Sequence, residues 1–261
     1  MAGEVIPKKS LGQHWLHDEA ILQAIAKPAK LTKNDTVLEI GPGLGTLTKI
    51  LAQKAKDVIA IEFDVELARS LPKKLQLDNV IIVNQDILRF DFQSIPDYKI
   101  VANIPYYLTS NLIRVMSESS HRPEVAVLLV QKEVAERVTA KPGAMSLLSV
   151  SAQFYWDVSL GVIVPSEAFT PPPKVDSQAL IFTQPTTVLA EQIDTKLFFR
   201  IVKAGFSQRR KTLLNSLSAG LHLDRTAVQT WCVRADISEG RRAQTLSIQE
   251  WLNLYETYTK L

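Results

Sequence analysis

The stretch TVLEIGPGLGTLT, residues 36–48, joins a short apolar run to three closely spaced glycines and the start of an amphipathic segment. This pattern predicts a buried strand that ends in a tight turn, followed by a helix. Gly41, Gly43 and Gly45 would let a ligand approach the backbone closely at the carboxyl end of the strand, where open α/β sheets bind ligands. The dinucleotide fingerprint G-x-G-x-x-G would require glycine at position 46, which is Thr46. The spacing therefore favours a ligand other than a dinucleotide.

From Thr36 to Val130, short apolar runs alternate with longer amphipathic segments. The runs read TVLEI, VIAIE, VIIV, KIVANI and VAVLLV. This alternation predicts a mostly parallel sheet with helices on both faces, and near-continuous apolar strands are typical of a sheet buried on both sides. Two later runs, VSLGVIV and QALIF, are expected to complete the sheet as an antiparallel pair.

The sequence changes character after Thr183, where QPTT forms a linker and helical patterns follow. We therefore predict a first domain of residues 1–183 and a small all-helical domain of residues 184–261. Within residues 194–206 the apolar side chains fall on one face of a helix and the cations on another, which fits a helix packed on one side. The next segment, QRRKTLLNSL, is predicted to be a helix capped by Ser207.

The composition is that of one or two globular domains, with 46% hydrophobic and 22% charged residues among 261. It excludes collagen, a coiled coil and a disordered tail. A single cysteine, Cys232, cannot form an internal disulfide, and the presence of only four histidines and one cysteine argues against a structural zinc site. The N-terminal residues lack the apolar stretch of a secretory signal, and the best membrane candidate, residues 146–165, is interrupted by polar residues. We expect a cytoplasmic protein that uses no metal and no membrane.

Positive charge is concentrated in the last part of the chain. A formal net charge of +3 does not by itself indicate a nucleic-acid partner, but residues 185–261 carry 11 basic and 7 acidic groups. Five cations follow one another with no acid between them, namely Arg200, Lys203, Arg209, Arg210 and Lys211. Cations in the first turn of the predicted helix would oppose its dipole, which indicates that they face a polyanion. A purely structural surface is the alternative.

Two carboxylates follow the next two predicted strands. Glu62 ends the second strand 21 residues after Gly41, where a carboxylate can accept from both hydroxyls of a ribose. Asp86 follows the third strand and could accept from an adenine amino group. Together with the glycine turn they suit a nucleoside that carries positive charge and no phosphate, as S-adenosylmethionine does, better than NAD or ATP. The alternative is that both carboxylates only cap the helices that follow.

The fourth strand runs into NIPYY, residues 103–107, at the same edge of the predicted sheet. If the Asn103 side-chain oxygen and the Ile104 carbonyl accept both hydrogens of an adenine amino group, they free the nitrogen lone pair for attack on a methyl group. Such acceptors stabilise the transition state more than the ground state. Pro105 stiffens the turn, Tyr106 would stack on the base, and Phe169 could cover its other face. An ordinary core position is the alternative for Phe169.

These residues resemble those of the KsgA family of small-subunit ribosomal RNA adenine dimethyltransferases. The blocks KKSLGQHWL, EIGPGLGTLT, IEFD, NQDIL, NIPYY, FTPPPKVDS, GFSQRRKTLLNSL and RAQTLS occur in the family's order. The resemblance implies an α/β, Rossmann-like class I methyltransferase fold with a small helical C-terminal domain. It also implies that S-adenosylmethionine is held by His14, Leu16, Gly41, Glu62, Asp86 and Asn103. By the same resemblance, the target base is held by Asn103, Tyr106 and Phe169.

The family's members dimethylate two adjacent adenosines in the hairpin loop near the 3′ end of small-subunit RNA, on an assembling ribosomal subunit. We predict this activity, and a hairpin loop suits it because its bases are already unpaired. One alternative is a resistance methyltransferase acting on large-subunit rRNA, a group that shares NIPYY but usually lacks GFSQRRKTL. Another is a ribosome-assembly or transcription factor without catalysis. Two residues depart from the family pattern: Trp15 replaces the usual Phe, and Gln244 replaces the usual Glu.

Overall fold

Strands and helices alternate along the chain as the apolar runs predict. The structure, a computed structural model, describes residues 7–8, 11–185, 189 and 193–260. Its strands are β1 (Trp15–Leu16), β2 (Thr36–Ile40), β3 (Asp57–Glu62), β4 (Val80–Asn84), β5 (Tyr98–Asn103), β6 (Val125–Gln131), β7 (Asp157–Val164), β8 (Phe169–Thr170) and β9 (Ser177–Thr183). Its α-helices are α1 (Glu19–Ala26), α2 (Thr46–Lys54), α3 (Val65–Leu75), α4 (Thr109–Glu118), α5 (Lys132–Val138), α6 (Leu147–Gln153), α7 (Thr195–Phe206), α8 (Leu213–Leu221), α9 (Arg225–Arg234) and α10 (Ile248–Tyr258).

Seven of the strands form one sheet with the order β4-β3-β2-β5-β6-β9-β7. The first five in that order are parallel, and Leu38 of β2 lies opposite Ile59 on one side and Ile100 on the other. Strand β9 is antiparallel to β6. The two late β-like runs therefore complete the sheet, as predicted. Leu38 and Ile100 are fully buried, which explains why these strands are mostly apolar.

The strand order reverses between β2 and β5. Strands β3 and β4 follow β2 on one side of it, whereas β5 and β6 extend the sheet on the other side. In open α/β sheets such a reversal leaves a crevice at the carboxyl ends of the strands, where ligands bind. Gly41 and Asn103 stand at this point, one directly after β2 and the other at the end of β5. The fold thus brings the glycine loop and the NIPYY motif to one edge.

The chain forms two compact units, which are Met1–Ala135 with Val158–Gln184 and Glu136–Asp157 with Pro185–Leu261. The break after Gln184 is adjacent to the predicted domain boundary. Residues 136–157, however, belong to the second unit, which corrects the predicted first domain of residues 1–183. The physical reason is aromatic packing, because Phe154 stacks on Phe198 of α7 with ring centroids 4.5 Å apart. Part of the predicted linker QPTT lies outside the described residues.

The second unit is helical and is built around buried aromatic side chains. Trp231 of α9 is fully buried, and its indole N–H donates to the Leu254 carbonyl of α10 at 2.9 Å. Helix α7 buries Phe198, Ile201 and Val202, which belong to the apolar face predicted for this segment. The one-sided helix predicted from residues 194–206 is therefore confirmed.

Candidate active site

A cavity of about 360 Å³ opens at the carboxyl ends of β2, β3, β4 and β5. Its walls include seven of the eight residues predicted to hold the cofactor, namely His14, Leu16, Gly41, Gly43, Glu62, Asp86 and Asn103. Three more wall residues, Ile104, Pro105 and Tyr106, come from the predicted reacting centre. Gly45 and Phe169 are not among the described residues that line the cavity. The structure thus gathers most of the predicted site in one place.

The three glycines of the loop have positive φ, but they do different things. Gly41 has φ +68, and a Cβ added there would lie 3.7 Å from Pro105 Cδ, across the crevice between β2 and β5. Gly45 has φ +80 and is the N-cap residue of α2. A Cβ at Gly45 would lie only 2.8 Å from Leu75 Cδ2 of α3. Gly45 is therefore required by helix packing rather than by the cavity, which differs from the prediction that all three glycines face a ligand.

Glu62 is the anionic group most firmly held in the cavity wall. Its Oε2 accepts from the Gly43 backbone N–H at 3.1 Å, and its Oε1 accepts from the Asp64 backbone N–H at 2.8 Å. The side chain is buried, and this burial raises its pKa despite the two hydrogen bonds. Glu62 does not cap α3, because Asp64 has that role. Its carboxylate is therefore held in a fixed position in the cavity wall.

Asp86 caps a turn, which was the alternative that the sequence left open, and it also lines the cavity. Its Oδ1 accepts from the Leu88 backbone N–H at 3.0 Å and so caps the short 3₁₀ turn Ile87–Arg89. The same side chain lines the cavity and is only partly buried. Capping and ligand recognition are compatible here, since a carboxylate has two oxygens and about four lone-pair positions.

The NIPYY motif is held against the N-terminal segment. The Asn103 side-chain amide nitrogen donates to the His14 carbonyl at 3.4 Å, a long hydrogen bond. The Tyr106 ring stacks on His14 with centroids 5.9 Å apart and planes inclined by 21°. The Tyr106 hydroxyl exchanges a hydrogen bond with Ser177 Oγ at 2.8 Å. These contacts fix the orientation of both side chains at the cavity rim.

Phe169 lies in the core of the first unit. It pairs with Leu16 in the short antiparallel ladder of β1 and β8 and is only 3% exposed. Its segment still reaches the site, because the Pro171 carbonyl accepts from His14 Nδ1 at 2.7 Å and Ser177 contacts Tyr106. The core position that the sequence left open as an alternative is thus the one that Phe169 occupies in this structure. Stacking of Phe169 on a target base stays a prediction.

Glu39 is a cavity residue that the sequence reasoning missed. It stands in β2 among apolar neighbours, is 1% exposed, and its Oε2 has no hydrogen-bond partner among the described residues. Burial raises the pKa of its carboxyl to about 8, and the nearby charge of Glu62 acts in the same direction, whereas Thr48 opposes it. The signal was present in the sequence, since a lone carboxylate within a strand buried on both sides requires a reason.

This raised pKa predicts that Glu39 makes the protein less stable as the pH rises. An unfolded glutamate is ionised above about pH 4.5, but folded Glu39 keeps its proton up to about pH 8. Folding therefore takes up a proton in this window, and the contribution is complete below pH 4.5 and lost on passing pH 8. We expect the free energy of unfolding to fall by roughly 1 kcal/mol per pH unit from this group alone.

Urea unfolding of wild type and Glu39→Gln at pH 5.5, 6.5 and 7.5 measures this effect. The substitution should flatten the slope by that amount, because the amide does not titrate. Glu167→Gln, which changes an exposed glutamate of the same unit, is the matched control and should leave the slope unchanged. Parallel slopes for wild type and Glu39→Gln would contradict the prediction.

Residues Leu11–Leu16, which we call the strap, form one wall of the cavity. The resemblance selected only His14 and Leu16 from it. Gly12 has φ +59 and lies against Tyr107, because a Cβ added there would be 3.6 Å from Tyr107 Cδ1. Trp15 lies against the glycine loop, with its Cδ1 only 3.3 Å from a Cβ added at Gly43. The bulky indole at this position therefore encloses the cavity next to the predicted cofactor residues.

The five predicted RNA-contacting cations belong to the second unit. Arg200 and Lys203 are exposed on α7, and Arg209, Arg210 and Lys211 are exposed in the connection that follows it. Within the part of the chain that the structure describes, none of the five side chains makes an ion pair. Their charge is thus available to a polyanion.

The helix predicted from Gln208 begins later than expected, so the prediction of its start was wrong. Ser207 ends α7 and donates from its hydroxyl to the Ala204 carbonyl at 2.7 Å. Helix α8 begins at Leu213, and the Leu213 backbone N–H donates to the Arg241 carbonyl at 2.7 Å. This tertiary contact satisfies a helix-end donor that no nearby side chain caps. Arg209, Arg210 and Lys211 therefore lie in a loop before α8 and not in its first turn, where the dipole argument had placed them.

Gln244 has a defined structural role. Its side-chain amide donates to the Gly143 carbonyl at 3.1 Å, and its own carbonyl accepts from the backbone N–H groups of Gly143 and Met145 at 2.9 and 3.2 Å. The two segments so joined both belong to the second unit. A carboxylate at this position could not donate to Gly143, so glutamine suits the contact observed here.

Three further findings concern membrane-spanning helices, metal binding and the reactivity of the cysteine. None of the described helices is both long enough and apolar enough to cross a membrane. Among the described residues, no group of three or more His, Cys, Asp or Glu side chains is placed to hold a metal ion. The buried thiol of Cys232 has its pKa raised to about 11 by burial and by the charge of Glu239, which makes it a poor nucleophile.

Comparison with known proteins places this geometry in a family. A family model described as "Ribosomal RNA adenine dimethylase" matches residues 7–260. The chain is 43% identical over 259 residues to ribosomal RNA small subunit methyltransferase A of Dehalococcoides mccartyi strain 195, covering 97% of this chain and 89% of the relative. It is 40% identical over 268 residues to the protein of the same name from Moorella thermoacetica, covering 97% and 93%.

Two solved structures resemble this one over almost their whole length. The dimethyladenosine transferase from Plasmodium falciparum aligns with a TM-score of 0.80 and 27% identity, covering 95% of this chain and 98% of that one. The 23S rRNA methyltransferase ErmE aligns with a TM-score of 0.74 and 29% identity, covering 93% and 98%. The predicted Rossmann-like class I methyltransferase fold with a helical C-terminal part is confirmed. Sheet order, cavity and matches together show that this chain belongs to the ribosomal RNA adenine dimethylase family.

Proposed function

We propose that this chain uses S-adenosylmethionine to dimethylate N6 of two adjacent adenosines in the 3′-terminal hairpin loop of small-subunit (16S) rRNA, during assembly of the subunit. The observation that carries this proposal is the position of Asn103. Asn103 lines a cavity together with Glu62 and Asp86, at the point where the strand order reverses, and its amide nitrogen donates to the His14 carbonyl. The relatives named small subunit methyltransferase A support the choice of subunit.

The cavity residues fit S-adenosylmethionine, which would supply the methyl group from a sulfonium cation. Glu62 offers a fixed carboxylate for the ribose hydroxyls, and Asp86 keeps an uncapped oxygen for the adenine edge. Glu39, whose Oε2 has no partner among the described residues, adds a further polar group in the wall. Gly41 and Gly43 expose backbone rather than side chains there. None of these cavity residues needs a phosphate group as its binding partner, which agrees with a cofactor of the nucleoside type.

Asn103 and Ile104 would act on the target adenine. The amide nitrogen of Asn103 is engaged with His14, which leaves the side-chain oxygen as the acceptor for an amino hydrogen. With the Ile104 carbonyl as second acceptor, the amino nitrogen is held so that its lone pair points at the methyl group. Both acceptors are preorganised and stabilise the positive charge that develops on nitrogen. The product loses its proton readily, so no separate base is required.

Tyr106 would hold the base by stacking, and the exposed cations would hold the RNA backbone. Stacking on one aromatic ring is worth about 1 to 3 kcal/mol per base, comparable with the cost of extruding it. Arg200, Lys203 and the Arg209–Lys211 loop supply phosphate contacts in the helical domain, which we assign to RNA or ribosome binding. That domain corresponds to the second unit, which comprises residues 136–157 and 185–261.

Methylation of purified ribosomal subunits tests the proposal. The protein is incubated with methyl-labelled S-adenosylmethionine and either unmethylated small subunits or large subunits, and the RNA is digested and analysed by mass spectrometry. Label in N6,N6-dimethyladenosine of the small-subunit 3′ hairpin is the expected result. Label confined to the large subunit would favour the activity named for ErmE. Binding of small subunits without dimethyladenosine would instead favour an assembly factor that lacks catalysis.

A further inference from the structure

An ion pair ties the N-terminal residues to the start of α3. Lys8 Nζ lies 2.9 Å from Asp64 Oδ2 and 2.7 Å from Glu66 Oε2. The Asp64 side chain is 3% exposed, whereas that of Lys8 is 43% exposed. The pair therefore joins a buried carboxylate to a cation at the surface, unlike Lys56 and Asp57, which are both well exposed and 3.9 Å apart.

Asp64 depends on this cation. Burial by itself would raise the pKa of Asp64, but the hydrogen bond from Lys8 and those from the Glu66 and Leu67 backbone hold it below its usual value. Hydrogen bonds to Glu66 and Asp64 raise the pKa of Lys8 in turn. Without Lys8 the buried carboxylate would keep only uncharged donors, namely the backbone N–H groups at the helix start and the longer hydrogen bond from Gln13, a costly arrangement for a charge.

The same ion pair is connected to the strap. The Lys8 backbone N–H donates to Gln13 Oε1 at 2.8 Å, and Gln13 Nε2 donates to Asp64 Oδ2 at 3.4 Å. The Leu11 backbone N–H donates to the Lys8 carbonyl at 3.0 Å. Lys8 and Asp64 thus anchor one end of the strap, while its other end is held by pairing of β1 with β8.

Asp64 also contacts the cofactor site directly through its backbone. Its N–H donates to Glu62 Oε1, the carboxylate that we assign to the ribose. The anchor of the strap and the ribose-binding group are therefore adjacent links of one hydrogen-bond network. Opening of the Lys8 contact would loosen the strap next to Glu62 without removing any residue from the cavity wall.

We propose that Lys8 is a positioning residue for the cofactor, acting as a latch that holds the strap against the cavity through Asp64 and so sets how long S-adenosylmethionine remains bound. The inference rests on the proposed function, because it requires the cavity to bind that cofactor. Lys8 does not line the cavity, so its effect would be on residence time and not on recognition. The latch is an ion pair in which the Lys8 side chain is 43% exposed, so salt should weaken it.

Dissociation of labelled S-adenosylmethionine, measured by dilution into excess unlabelled compound, tests the latch in the full-length protein. Lys8→Met should increase the dissociation rate about tenfold and change the association rate little. This expected effect lies between the effect of losing an exposed ion pair and that of losing a buried one. Lys8→Arg should restore most of the wild-type rate. Raising the salt concentration should speed dissociation from wild type but not from Lys8→Met. Lys56→Met, which removes an exposed cation of the same unit, is the control and should behave as wild type.

Asp64→Asn gives a second variant, since asparagine can keep the α3 cap while losing the charge. It should also speed dissociation and abolish the salt effect, even if Lys8→Met proves unstable. A purely structural ion pair would lower the melting temperature without changing the salt dependence of release. Equal dissociation rates in wild type, Lys8→Met and Asp64→Asn would overturn the latch. Failure of the wild-type protein to bind S-adenosylmethionine would overturn the proposed function itself.

Discussion

Replacement of Asn103 by alanine should lower the turnover number about a hundredfold or more and leave the affinity for S-adenosylmethionine within a few-fold of wild type. The reason is that, in the proposed function, the lost acceptor would contact the adenine nitrogen as charge develops on it, whereas we assign cofactor recognition mainly to Glu62, Asp86 and the glycine loop. Turnover is measured under single-turnover conditions with saturating small subunits, and affinity by calorimetry without RNA.

Asn111→Ala is the matched control for this experiment. It removes the same amide from an exposed position on α4, close in sequence to the motif but outside the cavity wall. Its turnover and cofactor affinity should equal those of wild type. A loss confined to cofactor affinity in Asn103→Ala would instead assign Asn103 to holding the cofactor. Unchanged turnover would remove it from the reacting centre.

Neutralising Arg209, Arg210 and Lys211 together should weaken binding to the small subunit on the order of tenfold or more and reduce its salt dependence. Each lost phosphate contact lowers the slope of log affinity against log salt by about 0.7 to 0.9, so three contacts lower it by about 2 to 3. The three side chains are exposed and make no ion pair among the described residues, so their removal leaves the fold of the second unit intact.

The control must remove the same net charge elsewhere. Lys49, Arg69 and Lys73 are exposed on α2 and α3 of the first unit, and their triple alanine variant carries an equal charge change. Filter binding at a series of salt concentrations gives both slopes. An unchanged slope in the Arg209–Lys211 variant would mean that this loop does not contact RNA. Equal reductions in both variants would mean that net charge, rather than this loop, governs binding.

The sequence by itself determined the parts of the fold whose cause is local. Near-continuous apolar strands separated by amphipathic helices predicted the buried parallel sheet, because burial on both faces favours apolar side chains at most positions of a strand. The ends of those strands had to meet at one edge, so the glycine loop, Glu62, Asp86 and Asn103 could be placed together before any coordinates were known. Their types and spacing also carried the family resemblance.

Only the tertiary structure decided the features that depend on contacts between distant segments. Gly45 serves the packing of α3, and Phe169 is buried by its pairing with the strap; neither neighbour is near in sequence. Residues 136–157 join the second unit because Phe154 packs on α7. Helix α8 starts where the Arg241 carbonyl accepts from it, not where a serine precedes it.

The same distinction explains why Glu39 and Lys8 were missed. The role of each arises from burial and from partners about 20 or more residues away, Glu62 in one case and Asp64 in the other. Local pattern shows which residues prefer a strand, a turn or a helix. The desolvation of a carboxyl and the pairing of a charge are set by what surrounds the group in three dimensions, so they become visible only when the chain is folded.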